Sequence, residues 1–189
     1  MTTPTKAGPE KIAYQGKMIE VVEQPMQIGE RQVTFEFARR APGTRLIIPT
    51  KDNTIILSKE FRTEINGYDY RLPGGKVFDT LKEYNEFLAS NDDIREKALQ
   101  AAIKEAREEV GVIVEKAELF AISKCGVTIE WDLYYFVVRS FTEGERTDSG
   151  EGEDITAVTT PIEEAKKMCL DGRFQEERSA LILLRYLNR

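Results

Sequence analysis

Histidine is absent from all 189 residues. Its absence removes the Ser/His/Asp triad, Cys/His proteases and zinc sites that need imidazole. Acid–base chemistry is left to carboxylates, Lys, Tyr, Cys or a metal-bound water. Cysteine is scarce: Cys125 and Cys169 stand far apart in no CxxC arrangement, which argues against a disulfide framework or a four-thiolate metal site. No run of 18 apolar residues occurs, and the stretch Met1 to Pro9 has no signal-type apolar core. No membrane association is therefore expected, and the reading is a cytoplasmic protein with a flexible leader over residues 1–11. An excess of positive charge is missing too: 33 acids face 27 bases, for a net charge of −6. No nucleic-acid partner is expected, because sequence-independent binding of that kind rests on Lys and Arg neutralising phosphates.

What is present fits one ordinary domain with a small appended unit, 41% apolar and 32% charged. Residues 12–62 are β-rich, with runs at Met18–Val22, Gln32–Phe37, Leu46–Pro49 and Ile55–Leu57 punctuated by Gly29, Pro42-Gly43 and Asp52-Asn53. That punctuation predicts hairpin-connected strands, and a further short strand, Tyr68–Leu72, runs into Pro73-Gly74-Gly75. Thr80 and Glu83 have capping-box spacing ahead of a short amphipathic helix, an insertion over residues 79–93. Asp93 and Glu96 then start a helix that should run to Val110 and stop at Gly111, with Leu99, Ile103, Ala106 and Val110 facing a sheet. Strands return between 117 and 141, with Trp131, Tyr134 and Tyr135 read as sheet core. An acidic loop covers Glu143–Glu153, Pro161 opens a helix at its first position, and Gly172 ends it. A last helix from Gln175 carries Leu181, Leu184 and Leu187 on one face. The fold class is α+β, a mixed sheet with helices on its faces.

The helix ending at Gly111 carries the chemistry. At about 100° per residue, Glu105, Glu108 and Glu109 share one arc beside the apolar stripe. Like charges at these spacings repel by roughly 0.2–0.5 kcal/mol per pair, and a divalent cation would reverse that cost. Oxygen-only ligands suit Mg²⁺, with Mn²⁺ as a substitute, rather than zinc. The same three residues also describe an acidic solvated helix face, and periodicity does not separate the two.

The residues around this helix resemble the Nudix hydrolase signature: Gly, a five-residue gap, Glu, a seven-residue gap, then Arg-Glu, an apolar residue, any residue, Glu-Glu, any residue, Gly. Glu96, Lys104-Glu105, Ala106, Arg107, Glu108-Glu109, Val110 and Gly111 match its second half in register. Leu72-Pro73-Gly74-Gly75 resembles the family's glycine turn. Two departures stand out: Lys104 occupies the Arg position, and 20 residues separate Gly75 from Glu96 where the signature has five. The segments Leu57–Arg62 and Glu151–Ile155 extend the likeness to ADP-ribose pyrophosphatases and nucleoside-diphosphate-sugar hydrolases.

The resemblance implies a Nudix α/β/α sandwich over residues 46–189 and an N-terminal antiparallel β extension over 12–45, exchanged between the subunits of a homodimer. It implies Mg²⁺-dependent cleavage of ADP-ribose or a nucleoside diphosphate sugar, with Gly74, Glu105, Glu108 and Glu109 holding metal. Glu151 or Glu153 becomes the candidate general base, beside Glu108 as a further catalytic carboxylate. Gly75, Glu96, Lys104 and Gly111 keep structural roles in the motif. Arg62 is the candidate phosphate contact, although a surface ion pair describes it as well. Arg39 and Arg40 could hold a base, or be solvated while Phe35 and Phe37 join the core. Competing activities are a pyrophosphohydrolase of RNA ends or dinucleoside polyphosphates and a non-catalytic ligand sensor.

Overall fold

A computed structural model describes residues 3–90, 92–147 and 154–189. The strands of the first half are β1 (Thr5–Lys6), β2 (Lys11–Gln15), β3 (Ile19–Ile28), β4 (Arg31–Arg40), β5 (Gly43–Pro49), β6 (Thr54–Arg62) and β7 (Gly67–Arg71). Two helices follow, α1 (Leu81–Leu88) and α2 (Ile94–Val110), and then β8 (Val112–Ser123), β9 (Ile129–Glu130), β10 (Leu133–Glu143) and β11 (Ile155–Pro161). The chain closes with α3 (Ile162–Asp171) and α4 (Glu177–Leu187). These elements fall into two compact units, one built from Met1–Pro42, Phe78–Asp92 and Lys124–Asp132, the other from the rest.

The first unit is a sheet in the order β1-β3-β4-β9, with β2 also paired to β3. Strands β3 and β4 form a long hairpin closed by Ile28 and Arg31, with Gly29 in a left-handed turn (φ 61°). The segment read as a leader is partly tied down, because Thr5 and Lys6 pair with Gln27 and Met26. The boundary expected after residue 45 falls instead after Pro42, since Gly43 already belongs to β5 in the other unit's sheet. Glu20 is fully buried and accepts hydrogen bonds from Arg39 (3.2 Å), Gln15 (3.4 Å) and Asn85 of α1 (3.1 Å). The inserted helix is thereby fastened to this sheet. Its N-cap is Thr80, whose hydroxyl accepts from Glu83 N–H, while the Glu83 carboxylate reaches the N–H of Asp79. Trp131 is not sheet core as expected: it lies outside the strands, and the Arg40 guanidinium sits 4.5 Å from its ring centroid.

The second unit holds a mixed six-stranded sheet in the order β11-β6-β5-β10-β8, with β7 added to β6. Among the described strands of this sheet only the β5–β10 pair is parallel, running from Gly43 opposite Leu133 to Ile47 opposite Val137. Both strands are buried along six consecutive residues, the pattern of strands covered on both faces. Strand β11 was not anticipated: its Thr-rich sequence follows an acidic segment, yet it pairs with β6 from Ile155 to Pro161. Pro161 accordingly ends a strand and occupies the N-cap of α3, not the first helical position.

Helix α2 has the expected ends. Asp93 caps it by accepting from Arg95 N–H, and Gly111 terminates it in the left-handed conformation (φ 67°). Its buried stripe is Ala98, Ala102, Ala106 and Val110, with Leu99 and Ile103 half-buried beside it. Alanine lets the helix axis approach the sheet more closely than leucine would, so the contact line runs one position away from the one expected. In α4 the buried residues are Ser179, Ala180, Ile182 and Leu183, and Leu181, expected on the apolar face, is 59% exposed.

The alanine stripe generates a test. Ala102 is completely buried, so Ala102→Leu should overpack the helix–sheet contact and cost about 1–3 kcal/mol. The expected readout is a lower urea midpoint with an unchanged slope; a variant as stable as the parent would show slack at that contact.

Candidate active site

The glycine turn and α2 meet at close quarters. Thr44 N–H donates to Gly75 O (2.9 Å) and Leu46 N–H to Pro73 O (2.8 Å), so the turn is held alongside β5. Gly74 has a positive φ of 149°, and a Cβ there would stand 2.1 Å from the Thr44 carbonyl oxygen. A Cβ on Gly75 would stand 2.0 Å from a carboxylate oxygen of Glu105. Both positions require glycine, the first for conformation and space and the second for space.

Glu109 lies on the same side of α2. Its carboxylate accepts from the Gly74 N–H at 3.1 Å. Burial, then repulsion from Glu105 and more weakly from Glu60, pushes its pKa up to about 8, against the opposing pull of the Gly74 N–H and Arg45. A carboxyl that keeps its proton near neutral pH marks a place where negative charge is crowded and poorly solvated. Glu108 is half-buried and turned to Lys104, whose ammonium lies 3.5 Å away. Lys104 itself is 68% exposed, so at the motif's arginine position this chain has a solvent-side ion pair. Glu96 is exposed in the first turn of α2 and accepts from the Gln100 side chain at 2.9 Å.

Arg62 comes to the same place through Glu60. Its Nη2 pairs with Glu60 at 2.7 Å, and its buried Nε has no hydrogen-bond partner among the described residues. Glu60 is the residue that sequence reasoning passed over, although its position two residues before Arg62 on β6 puts both on one face of that strand. Arg39 is in the first unit and bound to three carboxylates, Glu10 (2.6 Å), Glu20 (3.2 Å) and Glu130 (2.7 Å). That removes the solvated state considered for it and commits its donors to protein partners. Phe35 is 44% exposed and so does not complete a core. Glu151 and Glu153 lie outside the described residues.

Among the described residues no three His, Cys, Asp or Glu side chains converge on one point. The carboxylates form pairs instead, Glu105 with Glu109 at the turn and Glu108 with Lys104. The donor set is nonetheless the one a hard divalent cation takes: carboxylate oxygens, backbone carbonyls of the turn, no nitrogen or sulfur. The raised proton affinity of Glu109 follows from its burial and from the Glu105 carboxylate crowded against it.

Residues 39–181 match the NUDIX domain model. The chain belongs to the Nudix family. It is 32% identical over 150 residues to a GDP-mannose pyrophosphatase of Enterobacter sp. (strain 638), covering 77% of this chain and 72% of that protein. A GDP-mannose pyrophosphatase of Escherichia coli (strain K12) is 30% identical over 146 residues, covering 75% and 70%. The crystal structure of an ADP compounds hydrolase superposes with a TM-score of 0.70 at 19% identity, over 98% of this chain and 94% of the other, a likeness of fold.

The pH dependence of Glu109 can be checked on protein kept in chelator. Its folded pKa of about 8 lies above the ordinary 4.5. The folded state therefore binds more protons than the unfolded state between those values, and stability must fall as pH rises through that window. Glu109→Gln removes the ionisation, so it should melt above the parent at pH 8.5 and gain little at pH 4.5. The gain at high pH should be on the order of 3 kcal/mol, after allowing for partial solvent screening. A difference independent of pH would show that Glu109 is not the titrating group.

Proposed function

We propose that the chain hydrolyses the pyrophosphate bond of a nucleoside diphosphate sugar or of ADP-ribose, using Mg²⁺ with Mn²⁺ as a substitute, and releases a nucleoside monophosphate and a sugar phosphate. The observation that carries this reading is the Glu105–Glu109 pair pressed against the glycine turn, with Glu109 holding a proton at neutral pH. The likeness to two GDP-mannose pyrophosphatases supports the substrate class.

In this reading Glu105, Glu108, Glu109 and the Gly74 carbonyl hold the metal. Bound there, Mg²⁺ neutralises the carboxylates and polarises the P–O bond that water attacks. Glu109, which holds a proton at neutral pH, and Glu108, which pairs with the Lys104 ammonium, are the carboxylates that would turn to the ion. Arg62, whose buried Nε has no partner among the described residues, donates to a phosphate oxygen. Its guanidinium, already oriented by Glu60, presents a second donor to the same group. Glu151 or Glu153 takes the proton of the attacking water, a role that cannot fall to histidine in a chain without one. Arg40, stacked on Trp131, contributes to substrate binding, and Arg39 holds the sheet beneath it.

The working form in this reading is a cytoplasmic homodimer joined through the N-terminal sheet. Ile12, Tyr14, Ile19 and Phe35 on that sheet are between 44% and 62% exposed, which leaves apolar area for a second copy to cover. Nucleic acid is not a partner, given the net charge of −6.

Purified protein with Mg²⁺ should release phosphorylated products from GDP-mannose, ADP-ribose or a related compound in a panel that includes dinucleoside polyphosphates and capped RNA. No product from any of them would exclude the enzymatic reading. Glu109→Gln should lower kcat by roughly a hundredfold or more, beyond the 10–100-fold typical of residues that only orient metal ligands. For the dimer, Tyr14→Asp combined with Phe35→Asp should give monomers in sedimentation velocity, and an unchanged dimer would place the interface elsewhere.

A further inference from the structure

Arg45 is buried in β5, 7% exposed, and among the described residues it bonds to Glu176 and Thr44. Its Nε and Nη2 donate to the two carboxylate oxygens of Glu176, at 3.0 and 3.3 Å, and its Nη1 donates to the Thr44 carbonyl at 2.8 Å. Glu176 is the N-cap residue of α4. It also accepts from the Ser179 hydroxyl at 2.7 Å, and Ser179 lies 3.0 Å from the Tyr135 hydroxyl. A chain of hydrogen bonds thus runs from the sheet interior through the start of the last helix to β5.

The Thr44 carbonyl held by Arg45 is the one against which Gly74 lies, 2.1 Å from where a Cβ would be. The residues on either side of Arg45 hold the turn as well, Thr44 N–H at Gly75 O and Leu46 N–H at Pro73 O. The turn then delivers the Gly74 N–H to Glu109 and its flat, Cβ-free surface to Glu105. Every link between Glu176 and the carboxylates of α2 is therefore a direct contact.

We propose that Glu176 and Arg45 are a positioning pair, which fixes the glycine turn against the carboxylates of α2 and so sets the affinity of that site for a divalent cation. The inference rests on the reading of Glu105 and Glu109 as metal ligands. Two physical arguments carry it. A buried ion pair is weak evidence for stability, since an apolar pair of like volume often does as well; what the pair provides here is a fixed direction for one carbonyl. Secondly, Glu176 offsets the charge of Arg45, so the guanidinium stands behind the site with less repulsion toward a cation than it would exert alone. Removing the charge of Glu176 loosens the turn and also leaves an unbalanced guanidinium facing it.

The test is a Mn²⁺ titration followed by electron paramagnetic resonance, without substrate, on the full-length parent, Glu176→Gln and Ser179→Ala, with thermal melting run in parallel. Glu176→Gln should weaken Mn²⁺ binding roughly tenfold, and Ser179→Ala, which removes only one orienting hydrogen bond, should shift it less in the same direction. Melting temperatures that fall while both dissociation constants stay within about twofold of the parent would mark a purely structural pair and overturn the inference. If Glu176→Gln does not fold, Ser179→Ala decides by the same criterion. Absence of Mn²⁺ binding by the parent would overturn the metal-site reading and this inference together, whereas equal binding by all three overturns the inference alone.

Discussion

The rest of the site depends on one steric constraint: the backbone at Gly74-Gly75 passes between the Thr44 carbonyl and the Glu105 carboxylate with no room for a Cβ on either side. Such a passage forces glycine twice in succession, and it also forces the helix that carries Glu105 to come very near the sheet. The stripe of alanines on α2 allows that approach. Bulk removed from the turn and from the helix face together lets a carboxylate reach a peptide backbone directly, and desolvation of Glu109 follows from the same closeness.

Crowding of this kind creates an electrostatic problem within a chain already at −6. The protein meets it in three different ways around one helix. Glu109 keeps a proton, Glu108 takes an ammonium from Lys104, and Glu60 takes the guanidinium of Arg62. None of these partners is deeply locked: Lys104 is solvent-exposed, a proton exchanges freely, and Arg62 has a buried Nε without a partner among the described residues. Arg45 behaves differently. Its partner Glu176 is bidentate and only 12% exposed at the side chain, so that charge is fixed in place.

Much of this was legible in the sequence wherever the signal is local. The ends of α2 follow from Asp93 and Gly111, the turn from its paired glycines, and the carboxylate arc from helical spacing alone. What could not be read is set by distant partners. Arg45 and Glu176 are 131 positions apart, and nothing near either residue announces the other. Arg39 looked like any arginine beside aromatics until three carboxylates from separate segments closed on it. Apolar faces misled for another reason. Leu99 is more hydrophobic than Ala98, yet the contact line of α2 runs along alanines, where the helix approaches closely; in α4 the equally apolar Ile182 and Leu183 are buried with Ser179 and its hydrogen bond, and Leu181 is left outside. The strand β11 was hidden by composition, a threonine-rich stretch after an acidic segment that becomes regular only by pairing with β6.

The pairing of β4 with β9 has a consequence in time. Ala38 and Arg39 find their strand partners at Ile129 and Glu130, and Arg39 reaches Glu130 by its side chain as well. The N-terminal sheet, though first to emerge during synthesis, cannot finish until the chain has been made past residue 130. At a translation rate of about 5–20 residues per second, its edge strand waits several seconds for its partner. Over that interval β4 presents an open row of backbone donors and acceptors carrying Phe35 and Phe37, while the β3–β4 hairpin and the pairing of β1 and β2 with β3 can already stand. The order of residues along the chain thus makes the N-terminal edge the segment most exposed to pairing with another copy before the fold closes.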